Sequence, residues 1–179
     1  GRFEQLKRYD SFEPGTMDHA AYGVKVLFDE GMIRRFLPDD KWDSIIYTAI
    51  AHHSDYELPE ISDPQTLLHA KLIRDEDKLD NCRVKLVDST STFINVSEEE
   101  LGTQNITQKV YETVFKNKCI LSADRVTQMD YWVSYIVYFF DINFKESFDI
   151  IAENDYLNRI IDRIPYSNPV TKEQMENIR

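Results

Sequence analysis

Glycine is scarce in this protein, five in 179 residues, too few for the turns of a loop-rich β fold, and no stretch alternates apolar and polar residues as a half-buried strand would. Cysteine is scarcer still. Cys82 and Cys119 have no paired spacing, which excludes a disulfide framework or a cysteine-based zinc motif and fits two free thiols in a reducing cytoplasm. Long apolar runs are missing: the longest, Tyr131 to Phe140, stops at Asp141 and is about half of the roughly 20 residues a membrane span needs. An excess of positive charge is missing too, the formal net charge being -11, which argues against a surface that coats nucleic acid. A small anionic substrate held through a metal stays compatible with that charge, because an ion reverses the local field. No signal peptide is visible at Gly1-Arg2-Phe3-Glu4, a start that looks like a truncation, and there is no repeat or low-complexity tract.

What is present is helical. A hydrophobic content of 42%, with 12% aromatic residues, suffices for one sizeable core at single-domain length. Pro14-Gly15-Thr16 reads as a turn with Thr16 as N-cap of a helix to about Phe36, followed by Pro38 and a second helix capped by Asp39 or Asp40. Ser62-Asp63-Pro64-Gln65 opens a helix to about Val84 with two apolar stripes, Leu68, Leu72, Leu79 and Cys82 on one side and Ala70, Ile73, Asn81 and Val84 on the other, so it is expected to be covered on both flanks. Ser97-Glu98-Glu99-Glu100 caps a short helix. Further helices are expected from Asn105 to Phe115, Asp124 to Asp141, Phe144 to Asn154 and Asp155 to Arg163, with a last one opening at Thr171. The aromatic segment, 124–141, reads as a buried helix or one that also forms the interface of a homodimer. The expected architecture is all-α, a single compact multi-helix bundle.

The chemistry-bearing residues gather in the first half. His52 and His53 end the apolar helix Ile45 to Ala51, and His19 lies upstream on a face shared with Tyr22, Val26 and Ile33. Such rings need partners for their nitrogens when buried. Taken alone, histidines at a helix C-terminus complement its dipole; the acidic run Asp75-Glu76-Asp77-Lys78-Leu79-Asp80-Asn81 shifts the reading toward a metal. Asp75 and Asp77 fall on faces expected to be buried, where a carboxylate needs a cation, either Lys71, Arg74 or Lys78 or a bound ion.

Together, His19 in Asp-His-x3-Gly, the His52-His53 pair and Glu76-Asp77-Lys78-Leu79-Asp80-Asn81 resemble the HD superfamily of metal-dependent phosphohydrolases, over roughly the first half of the sequence. The resemblance implies an HD core at about 1–84 with a helical extension at about 85–179. The opening Gly1-Arg2-Phe3-Glu4 resembles the residues just after the family's His-Asp doublet, so the sequence is expected to begin just past that doublet and, taken alone, to be inactive. Position by position, the resemblance implies His19, His52, His53 and Asp77 as metal ligands, one or two divalent ions (Mn, Fe, Co, Ni or Zn), and Arg2 as a phosphate contact. It further implies hydrolysis of a nucleotide or other small phosphoester by a metal-activated water. His53, where it is not a ligand, would orient the water or protonate the leaving group. Lys78 is a second catalytic candidate and Arg125 a second substrate contact. Two other classes share these ligand types: a degenerate HD domain that binds a nucleotide or protein partner, and a di-iron oxygenase of the same fold, in that order of preference.

Overall fold

The computed structural model describes residues 2–10 and 16–179. Among the described residues every regular element is a helix, as the sequence predicts, and no helix is long and apolar enough to cross a membrane. The protein divides into two compact units, residues 1–77 and 78–179.

The first unit holds α1 (Arg2–Tyr9), α2 (His19–Val24), α3 (Asp43–Ala51) and the opening turns of α4 (Pro64–Val87). The expected turn at Pro14-Gly15 lies outside the described residues. The cap of α2 is Asp18 rather than Thr16: its carboxylate accepts from Ala21 N at 2.9 Å, whereas the Thr16 hydroxyl accepts from the buried Gln5 amide at 2.8 Å and ties α1 to the start of α2. The helix expected to continue to Phe36 does not. It widens into a π turn at Lys25–Asp29, ends at Gly31 and restarts as a 3-10 turn, Met32–Arg35. Gly31 makes that break at low cost, since its φ of 73° is left-handed and suits a residue without a Cβ. Asp39 and Asp40 do not cap α3, which begins at Asp43. Arg34 bonds the Asp39 carbonyl and the Asp43 carboxylate and thereby anchors the start of α3. Ala20, Val24, Ile33, Ala49 and Ala70 are the buried apolar residues among those described in this unit.

Helix α4 starts where the sequence places it. Asp63 accepts from Thr66 N at 2.7 Å and Thr66 Oγ1 at 2.6 Å, and Pro64 sits where its missing N–H costs nothing. The helix extends three residues beyond Val84, to Val87. Its two flanks are not both covered. Ala70 and Cys82 are buried, but Leu68 and Leu72 are 51% and 46% exposed.

The second unit holds the rest of α4, α5 (Thr90–Ile94), α6 (Glu98–Leu101), α7 (Gln108–Val114), α8 (Gln128–Ile136), α9 (Lys145–Glu153), α10 (Tyr156–Asp162) and α11 (Pro169–Ile178). The aromatic segment is shorter as an α-helix than expected. Thr127 and Asp130 form a capping box that starts α8 at Gln128, and Val137–Asp141 continues as 3-10 helix. Asp130 is fully buried, yet its carboxylate accepts from Thr107 N at 2.8 Å, Val126 N at 2.9 Å and Thr127 N at 3.1 Å, so backbone dipoles replace the water it has lost. Trp132, Val133 and Met129 form the centre of the core with Leu101, Val110, Ile160 and Met175. Both cysteines are free thiols, and burial pushes the Cys82 thiol up to about 12, which leaves it unreactive at neutral pH.

Gly102, just after α6, is pressed against the segment that leads into α11. Its carbonyl accepts from Ser167 N and Asn168 N, both at 3.1 Å, and a Cβ built on it would overlap the Pro165 carbonyl. Backbone cannot rotate away as a long side chain can. Gly102→Ala should therefore destabilise the fold by about 1–3 kcal/mol, read as a lower urea midpoint with an unchanged slope; a midpoint equal to that of the wild type would show that this contact is loose.

Candidate functional site

The histidines of the first unit come from two elements. His19 is the first residue of α2, and His52 and His53 follow the last residue of α3. His19 Nε2 lies 3.0 Å from His53 Nε2, although the residues are 34 apart in sequence, and the rings meet edge to face at 78°. His53 Nδ1 donates to the Ile50 carbonyl at 2.7 Å. That bond fixes the proton on Nδ1 and leaves the Nε2 lone pair directed at His19. His52 takes another direction: its Nδ1 donates to the Asp55 carboxylate at 2.6 Å. An imidazole whose Nδ1 is engaged by a carbonyl or carboxylate and whose Nε2 is open has the form in which histidine binds metals or accepts protons.

His19 differs electrostatically from its neighbours. Burial, then the charge of Arg2, then His53 lower its pKa from 6.5 to about 4. It is neutral at pH 7. Arg2 itself is exposed on α1, and its guanidinium donates to Gln5 Oε1 at 3.1 Å.

The turn that carries His52 and His53 is held from α4. Arg74 is 1% exposed; its Nη1 donates to the carbonyls of His52 at 3.0 Å and Asp55 at 2.7 Å, and its Nη2 to that of Tyr56 at 3.4 Å. The sequence suggests Arg74 as a counter-ion for the neighbouring aspartates, but gives no hint of this grip on backbone carbonyls. Beside the turn, Ile45, Ile46 and Ile50 of α3 face Leu72 and Ile73 of α4 across an apolar groove of about 290 Å³.

Of the expected ligands, the structure brings His19 and His53 together. His52 stands next to the pair in sequence but is turned to Asp55, and Asp77 is half-buried on α4. Among the described residues no group of three or more His, Cys, Asp or Glu side chains converges as a metal cluster. Lys78 and Arg125 belong to the second unit. The Lys78 ammonium is buried and pairs with Asp141 Oδ2 at 2.7 Å. Arg125 stacks on Tyr131, 4.4 Å from the ring centroid, and donates to Ser134 Oγ at 3.3 Å. Comparison with profiles of known protein families, with curated proteins and with solved structures finds no match.

The His19 environment has a consequence for stability in the absence of metal. Its folded pKa lies below that of a free imidazole, so between pH 6.5 and about 4 the unfolded polypeptide binds the proton that the folded one refuses. Stability is therefore lost as the pH falls through that window. In EDTA, the urea midpoint of wild type should drop further between pH 7 and pH 4.5 than that of His19→Asn, and equal drops would show that His19 is freely solvated.

Proposed function

We propose that this protein holds a metal-dependent phosphohydrolase site of the HD type, in which His19 and His53 bind a divalent ion and a small phosphoester is the substrate. The observation that carries this reading is the 3.0 Å approach of two Nε2 atoms with the His53 proton fixed on the far nitrogen. Two nitrogens bound to one ion at about 2.0–2.1 Å and at right angles stand about 3 Å apart. The donor set thus fits two adjacent positions of an ion such as Mn, Fe, Co, Ni or Zn. The motif resemblance, with Asp77 as the distal carboxylate, supports the same assignment.

When bound, a divalent ion supplies a water of lowered pKa and neutralises charge on phosphoryl oxygens. The protein's own residues do the rest. His53 is held in register by the Ile50 carbonyl. His19, neutral at pH 7, needs only a tautomer change to turn its Nε2 lone pair inward. The exposed Arg2, whose charge helps to hold the His19 pKa down, is the proposed contact for a phosphate that arrives against the net charge of -11. His52, with its Nδ1 on Asp55, presents Nε2 as an acceptor of the proton a water gives up or, once protonated, as its donor to a leaving oxygen. Lys78 and Arg125, already held by Asp141 and by Tyr131 and Ser134, take structural roles.

The test is elemental analysis and manganese or nickel titration of the natural polypeptide, followed by hydrolysis of bis-p-nitrophenyl phosphate and a nucleotide panel. His19→Ala and His53→Ala should each weaken metal binding at least tenfold and lower turnover about a hundredfold or more, in the range seen when a part of a catalytic site is removed. His52→Ala should lower turnover more than affinity. Wild type that takes up no metal would overturn the reading, and bound iron with oxygen consumption would replace it with the oxygenase.

A further inference from the structure

The most unusual buried charge in the first unit is Arg74. Its partners include three main-chain carbonyls, from His52, Asp55 and Tyr56, all in the turn after α3. The His52 carbonyl is that of the C-cap of α3, at the negative end of the helix dipole, and those of Asp55 and Tyr56 lie in the turn beyond it. A guanidinium suits that place because its planar fork reaches several acceptors at once and never loses its charge. One of its nitrogens, Nη1, spans His52 and Asp55, the two residues whose side chains form the 2.6 Å pair. The adjoining residue is His53, whose ring orientation is set by its own bond back to Ile50.

We propose that Arg74 is a positioning residue for the histidine turn. By fixing the main chain at both ends of the His52–Asp55 pair, it holds His53 Nε2 against His19 and His52 Nε2 clear of the backbone. It touches no reacting atom and acts only through those histidines. The proposal deepens the metal-site reading above and rests on it for its functional meaning, while the geometric claim can be judged without a metal.

The first experiment is nickel titration of wild type, Arg74→Lys and Ile33→Ala. Ile33 is buried in the same unit and away from the turn in sequence, so Ile33→Ala reports what general loosening of the unit does. Lysine keeps the charge but offers a single ammonium in place of the fork. Arg74→Lys should weaken nickel binding at least tenfold while Ile33→Ala, with a melting temperature lowered at least as much, binds as wild type does. Equal weakening in both variants, or wild-type affinity in Arg74→Lys, overturns the proposal.

The second readout needs no metal. Long-range proton–nitrogen spectra of the imidazoles should show His53 as a single Nδ1-protonated tautomer in the wild type and as an averaged one in Arg74→Lys; an unchanged tautomer in the variant overturns the proposal. If wild type binds no nickel, the metal reading fails and this spectrum alone decides about Arg74. If Arg74→Lys does not fold, the wild type decides: separate, slowly exchanging guanidinium protons of Arg74 support the clamp, and one rapidly exchanging averaged signal refutes it.

Discussion

The carbonyls at the end of α3 must be satisfied inside the protein, and the way this is done shapes the first unit. Backbone carbonyl groups that are neither hydrated nor hydrogen-bonded are costly. Here the load is divided. Asp55 N reaches the His52 carbonyl at 3.4 Å, His53 Nδ1 takes the Ile50 carbonyl, and Arg74 takes those of His52, Asp55 and Tyr56. The histidine rings are oriented as by-products of this accounting of acceptors. The catalytic geometry we propose depends on it, because a turn free to rotate would not keep two imidazole nitrogens 3.0 Å apart.

The second unit solves the same problem with the same residue type. At the end of α4, Arg163 bonds the Lys85 carbonyl and donates to that of Asp88 at 2.6 Å, while its other edge meets Glu98 at 2.6 and 2.8 Å. The difference is instructive. Arg163 pairs with the Glu98 carboxylate and anchors α6 to the end of α4, a structural joint between helices. Arg74 grips a turn that bears two histidines, and a joint there constrains chemistry as well as fold. Burying a guanidinium costs several kcal/mol before its bonds are counted, so in each unit the charge is placed where a helix terminus has acceptors to offer.

The all-α class was legible because apolar spacing and caps agree along most of the sequence. Pro64, the Ser97 cap and the acidic first turn of α6 are local signals, and local signals survive folding. The break at Gly31 was not legible, since a glycine at the end of an apolar run is compatible with a helix that continues; only its φ of 73° shows that it does not. Leu68 and Leu72 misled for a related reason: a stripe at helical spacing says which side is apolar, not whether another element will cover it. At the site, the apolar helix Ile45 to Ala51 and the histidines at its end were legible as a unit. The direction of His52 toward Asp55 is set by the turn rather than by helical spacing, because α3 ends at Ala51 and His52 leaves helical geometry at φ -109° and ψ 8°. The grip of Arg74 on the turn was hidden, as carbonyl acceptors leave no trace in the side-chain pattern.

The proton count at the histidine pair narrows what the site can accept. His53 has its one neutral-state proton on Nδ1, given to Ile50, and so meets His19 as an acceptor only. With both rings neutral, the 3.0 Å contact requires the proton of His19 on its Nε2. A second proton there would place a charge on a ring that burial and the neighbouring Arg2 both disfavour, which is why the His19 pKa falls to about 4. The gap between the rings thus takes a single positive centre that both lone pairs can face. A hydrogen-bonded proton meets that requirement with one tautomer of His19, and a divalent ion meets it with the other. The switch between them costs one proton moved across the His19 ring, with His53 left untouched on its carbonyl.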